Sequence, residues 1–186
     1  RDGSIRRWNR LESKVLLRWV AHQSYVADLA VAPDGKRCLS FGAGALVESD
    51  LQTGAPRLTW DRHRAPVLAA AFLPSGDRVA SSSADGTIRL WEADTGKTLR
   101  EWVVPTEGLV AHALAISPDG TRLAVGGYLG IAEFKITDAT PARTLSGHRG
   151  FVRALSYTPD GTRLLSAADD GSILGWSPTQ NEPAPR

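Results

Sequence analysis

The stretch Ser83-Ala-Asp-Gly-Thr-Ile-Arg-Leu-Trp91 decides the fold. Asp-Gly at 85–86 is a tight hairpin signal, because such turns need φ > 0. After it the residues alternate. Ile88 and Leu90 fall on one face, and Thr87, Arg89 and Trp91 on the other, which is the period of a strand. Before the turn, Arg78 to Ser83 reads as the paired strand. It is entered through Leu73-Pro-Ser-Gly-Asp77, where proline presets φ and glycine accepts a positive φ. Further out, Pro66 to Phe72 is small and apolar, as a strand buried on both faces should be. Downstream, Ala93-Asp-Thr-Gly96 turns again, and Lys97 to Val103 reads as a fourth, outer, more charged strand. No helical periodicity longer than two turns interrupts these elements.

The same phrase returns as Asp170-Gly-Ser-Ile-Leu-Gly-Trp176, and it opens the chain as Asp2-Gly-Ser-Ile-Arg-Arg-Trp8. Pro-x-Gly recurs at Pro33, Pro74, Pro118 and Pro159, in steps of 41, 44 and 41 residues. Eleven residues before each proline stand His22, His63, Glu107 and His148. A glycine series at Gly3, Gly44, Gly86, Gly130 and Gly171 keeps the same period, and five residues after each lie Trp8, Ser49, Trp91, Lys135 and Trp176. Three markers on one period mean an internal repeat, and four antiparallel strands per repeat of about 42 residues point to an all-β propeller.

The bulk properties agree with one globular core. The 186 residues are 42% hydrophobic and 23% charged, with a net charge of +2. That charge gives no argument for nucleic acid or an anionic membrane. The basic residues Arg1, Arg6, Arg7, Arg10, Lys14 and Arg18 read as a solvated face. No apolar run approaches the length of a membrane span. Cys38 is the single cysteine, so no internal disulfide forms, and it reads as a packing residue. The lone cysteine, with no leader in this portion, favours a cytoplasmic location.

The residues that mark the repeat resemble the WD40 repeat, in which Gly-His opens a unit and Trp-Asp closes it. Gly147-His148 keeps the opening pair, while the others read Ala21-His22 and Arg62-His63. The closing pair is Trp91-Glu92, Trp176-Ser177 and Trp8-Asn9. The resemblance runs over about residues 2–177. It is strongest at 62–104 and 147–177, and it is degenerate at 21–61 and 105–146. It implies a propeller with about four and a half four-stranded blades present and the ring incomplete. Residues 1–20 would be the outer strands of a truncated blade, 147–177 a repeat lacking its outer strand, and 178–186 a Pro-rich tail. The chain then reads as the C-terminal portion of a larger propeller, with upstream repeats closing the ring.

His63, Ser83 and Asp85 tempt a reading as a nucleophilic triad. A triad would not recur with the period of the fold. The resemblance instead implies a structural hydrogen-bond chain of His63, Ser83, Asp85 and Trp91. For His148, Asp170 and Trp176 it implies a partial one, because Ala168 stands where Ser83 would be; His22 holds the same phase. These histidines fall in separate blades, so no metal site is expected. Asp169-Asp170-Gly171 is too short for a calcium loop, and no cofactor is implied.

Recognition in such folds uses loops on one face of the ring. The positions three and five residues after the histidine phase, carried over from the family, are Tyr25, Pro66, Val110 and Phe151, and Ala27, Leu68, His112 and Arg153. The turn adds Tyr128 and Asp169. Tyr25, His112, Tyr128, Phe151, Arg153 and Asp169 are therefore the candidate partner contacts, since aromatics and arginine anchor interfaces. The expected function is a non-catalytic protein–protein interaction scaffold that binds proteins or peptides. The alternative is a regulatory or sensor domain attached to an upstream enzyme such as a bacterial Ser/Thr protein kinase.

Overall fold

The computed structural model describes residues 2–104 and 111–177. Glu107 and Val110, and the tail 178–186, lie outside the described residues. Among the described residues all regular structure is strand. β1 (Ser4–Asn9) pairs with β2 (Lys14–Val20) in a two-stranded sheet. β3 (Val26–Val31), β4 (Arg37–Gly42), β5 (Leu46–Asp50) and β6 (Pro56–Trp60) form a four-stranded antiparallel meander. β7 (Val67–Phe72), β8 (Arg78–Ser83), β9 (Thr87–Glu92) and β10 (Thr98–Val103) form the next. β11 (Ala113–Ile116), β12 (Arg122–Gly126), β13 (Tyr128–Lys135), β14 (Pro141–Tyr157), β15 (Leu164–Ala168) and β16 (Ile173–Trp176) make a six-stranded sheet. These are blades of an all-β propeller, an arc among the described residues.

The turns follow from local chemistry. Gly76 has a φ of 75°, and its N–H donates to the Leu73 carbonyl at 2.8 Å, closing the proline-initiated turn into β8. The same bond recurs at Gly35, Gly120 and Gly161 with 2.9, 2.8 and 2.8 Å. The repeat thus sets both the strand lengths and the direction in which each strand departs.

The cores lie between successive blades. Leu39, Phe41, Leu46 and Trp60 of the first unit meet Val67, Phe72, Val79 and Trp91 of the second. Ala80, Ile88, Leu90 and Trp102 meet Leu123, Val125, Ala132 and Phe134. Ala113, Ala124, Ile131 and Leu145 meet Val152, Leu164 and Trp176. Alternation explains this: one face of each sheet points to the preceding blade and the other to the next. Burying one such large side chain is worth roughly 1.5–3 kcal/mol. Trp60 and Trp91 stack across the first of these seams with centroids 5.7 Å apart.

Two features differ from the sequence reading. The inner strand β7 is fully buried only at Val67 and Phe72 and half-buried between them. It is the terminal strand of its sheet, so one side of its middle faces the open inner wall of the arc rather than a second layer. And the outer strand of the third unit runs without a break into the inner strand of the fourth, as the 17 residues of β14. Gly147 and His148, the opening pair of the fourth unit, stay extended within it.

Candidate functional site

β8, β9 and the loop before β7 bring together His63, Ser81, Asp85 and Trp91. His63 Nδ1 lies 3.0 Å from Asp85 Oδ2, and Nε2 lies 2.8 Å from Ser81 Oγ. Trp91 Nε1–H donates to that same oxygen at 2.8 Å. One assignment satisfies all of them: the ring donates from Nδ1 to the carboxylate, and the Ser81 hydroxyl donates to Nε2 while accepting from the indole. Asp85 also accepts from the Arg64 N–H at 2.9 Å, and from the Thr87 N–H and hydroxyl at 2.9 and 2.6 Å. Burial works to raise the Asp85 pKa, but the bonds from Thr87, Arg64 and His63 outweigh it and hold the carboxyl far below its ordinary range. Burial lowers the His63 pKa against the opposing pull of Asp85.

The serine in this chain is therefore Ser81, not Ser83 as the sequence suggested. Ser83 sits at the end of β8, where its hydroxyl donates to the Ala65 carbonyl at 3.0 Å and accepts the Asp85 N–H at 3.1 Å. Trp91 pairs opposite Val79, so the hydroxyl that reaches both rings must lie deeper along the strand.

The same shift corrects the fourth unit. Its network is complete, not partial: His148 Nε2 lies 2.7 Å from Ser166 Oγ, and Trp176 Nε1–H donates to that oxygen at 2.8 Å. His148 Nδ1 lies 3.2 Å from Asp170 Oδ2. Ala168 replaces only the outer serine.

The first unit keeps one link, His22 Nε2 to Ser40 Oγ at 2.9 Å. Ala43 and Ala45 stand where Asp85 and Thr87 would, and they line a 440 Å³ hollow beside His22. Burial lowers the His22 pKa.

The two degenerate units carry a different buried group, which sequence reasoning missed. Glu48 on β5 and Glu133 on β13 are the residues paired opposite Leu39 and Ala124, equivalent places in the repeat. Their side chains are 0% and 1% exposed. Each sits between two arginines. Glu133 receives Arg143 Nε at 2.5 Å, Arg122 Nη1 at 3.2 Å and the Tyr157 hydroxyl at 2.6 Å. Glu48 lies 3.0 Å from Arg57 Nε and 3.7 Å from Arg37 Nη1, yet neither oxygen has a hydrogen bond of acceptable geometry. Phe72 stands where Tyr157 does, two residues before its proline, and has no hydroxyl to give. Burial raises the Glu48 pKa against both arginines. For Glu133 the same burial is outweighed by the bonds from Arg143 and Tyr157, and the pKa falls.

Five of the six candidate contact residues come together where the third and fourth units join. Tyr128 pairs with Phe151 across β13 and β14, with rings 4.9 Å apart. His112 meets Phe151 edge-on at 5.8 Å, and the Arg153 guanidinium lies 5.1 Å from the Phe151 ring centre. Asp169 holds Arg153 in a fork at 2.7–3.0 Å, and that pairing lowers the Asp169 pKa. Tyr128 is 49% exposed. Tyr25 stands apart, before β3 in the first unit, and is 38% exposed.

Repeated four-stranded blades, with cores between them and a His–Asp–Ser–Trp chain inside two of them, define a β-propeller repeat protein. A family model, the WD domain, G-beta repeat, matches residues 54–92 and 139–177. The chain is 28% identical over 167 residues to WD repeat-containing protein SL1-17 of Schistosoma mansoni, covering 89% of this chain and 55% of that protein. It is 31% identical over 178 residues to WD repeat-containing protein 90 of Homo sapiens, covering 95% of this chain and 10% of that one. It is 31% identical over 144 residues to the F-box-like/WD repeat-containing protein TBL1X of Mus musculus, covering 70% and 27%. The chain belongs to the WD40-repeat family. It spans about half of the first of these relatives and a tenth of the second.

Proposed function

We propose that this chain is a non-catalytic protein-interaction scaffold whose contact surface is the Tyr128, Phe151, Arg153, His112 and Asp169 cluster. The observation that carries this is the clustering itself. Two aromatic rings and an arginine, selected by type from positions carried over by repeat phase, form one contiguous patch across two blades. Aromatics and arginine are the side chains from which interface hot spots are built. The Asp169 fork holds Arg153 in one geometry, which lowers the cost of ordering it on binding. The histidine–serine chains support a structural role rather than a catalytic one. The Ser81 hydroxyl is buried and committed to both His63 and Trp91, with no open side from which to attack a substrate.

Tyr128→Ala and Arg153→Ala test this. Each should abolish capture of the partner by the intact protein, while stability stays within roughly 0.5 kcal/mol, as for surface substitutions. A matching loss of stability would make these residues packing rather than contact. The regulatory-domain alternative uses the same patch, and the sequence of the remaining gene separates it from a free-standing scaffold.

A further inference from the structure

A second site lies at the opposite end of β12 and β13 from that patch. In the first three units the strand after the proline turn begins at an arginine, and its cross-strand partner is fixed by register. Arg37 stands opposite Asp50, and Arg78 opposite Glu92. In the third unit the sign inverts, and Arg122 stands opposite Lys135. Like charges placed directly opposite one another on a sheet are destabilising. Nothing in the repeat requires the inversion, since an acid serves twice at that position.

The inverted pair opens onto a cavity of 430 Å³ between the second and third units. Arg78 of the second unit lines it from the other side, along with Thr121, Ile136 and Asp119. Three cations therefore share it with one carboxylate. That carboxylate is turned onto its own loop: Asp119 accepts from the Ser117 hydroxyl at 2.5 Å, and from the Thr121 N–H and hydroxyl at 3.0 and 2.8 Å. Arg122 gives Nη1 to Glu133 at 3.2 Å, which leaves the rest of its guanidinium fork. Arg78 has one loose contact, Nε to Asp77 at 3.5 Å. Arginine forks with a neighbouring lysine suit a tetrahedral oxyanion, which takes planar, paired donors and a point charge together.

We propose that this cleft binds a phosphate group, held by Arg78, Arg122 and Lys135. The ligand supplies the negative charge that Asp50 and Glu92 supply in the first two units. The apolar flank at Ile136 and the cavity volume leave room for the body that carries the phosphate. A free phosphate and a phosphorylated side chain of a partner protein share this chemistry.

The test uses the whole chain at constant ionic strength, with inorganic phosphate, a phosphoserine peptide and its unphosphorylated counterpart as probes. Calorimetric titration and melting temperature are the readouts. Phosphate or the phosphopeptide should bind and raise the melting temperature, and the unphosphorylated peptide should not. A phosphopeptide at least tenfold tighter than inorganic phosphate assigns the site to a modified partner, and equal affinity assigns it to the free ion. Lys135→Glu restores the sign found in the first two units. It should weaken binding at least tenfold while raising the melting temperature of the ligand-free protein, which separates it from a variant that fails to fold. Lys14→Glu, far along the chain, should leave binding unchanged. Absence of binding by both phosphate probes, or equal binding by Lys135→Glu and the unaltered protein, would overturn the proposal.

Discussion

Removing one oxygen, by Tyr157→Phe, isolates a single hydrogen bond to a buried charge. The Tyr157 hydroxyl donates to Glu133 Oε1 at 2.6 Å, and the carboxylate is 1% exposed. A hydrogen bond to a charged group contributes about 1.5–3 kcal/mol. The ring and its packing are untouched, and Arg143 and Arg122 still face the carboxylate, so the loss should stay within that range. For a chain of this size each kcal/mol shifts the melting temperature by about 2–4 °C, giving a fall of roughly 3–12 °C. The sign with pH follows from the lowered Glu133 pKa. A carboxyl lowered in the folded state contributes stability above its unfolded value of 4.5, and that contribution is lost as pH falls through the folded value. Urea unfolding at pH 7 and again below pH 4 should therefore show a difference between Tyr157→Phe and the unaltered protein that shrinks with acid. The reciprocal change, Phe72→Tyr, offers Glu48 the hydroxyl it lacks. It should stabilise by up to about 1 kcal/mol. A Tyr157→Phe loss below about 0.5 kcal/mol, or one that persists undiminished in acid, would refute the assignment.

Ser81→Ala should cost about 1–3 kcal/mol in denaturant unfolding, because it strands the Trp91 indole N–H and His63 together, whereas Ser83→Ala should cost less than half as much. His63→Ala should fall in the same range as Ser81→Ala. Gly96→Ala should destabilise by more than about 1 kcal/mol in thermal unfolding, since φ is +68° and a Cβ would lie 2.3 Å from Trp60 Cδ1. Glu48→Gln should be neutral or stabilising at pH 7, because burial raises the Glu48 pKa and neither carboxylate oxygen has a hydrogen bond to lose, and Glu133→Gln should be destabilising.

Strands and turns were legible because their signals are local. Pro-x-Gly and Asp-Gly fix backbone angles over a few residues, and alternation does the rest. The His63–Asp85 contact was legible through the resemblance to the WD40 repeat. Ser81 was not, because Ser81 and Ser83 share a face and only the pairing of β8 with β9 decides which reaches Trp91. Glu48 and Glu133 were hidden for a different reason. A glutamate in an alternating strand reads as facing water, and only the blade packed against that face, bringing Phe72 or Tyr157, reverses the reading. The Tyr128–Phe151 contact joins residues given by phase in neighbouring units. That they pair across one continuous sheet depends on β14 crossing the boundary unbroken.

That crossing has a mechanical consequence. Stacked repeats exchange and open one at a time when each contacts its neighbour only through side chains. β14 instead is paired with β13 between Pro141 and Phe151 and with β15 from Val152 to Tyr157. The third and fourth units cannot swing apart without breaking that ladder, so their amides should exchange with solvent as one cooperative block. Among the described residues the first and second units, and the second and third, lie in separate sheets, so bending of the arc should fall at those seams. The aromatic patch thus sits on a stiff beam, and the basic cleft at a joint.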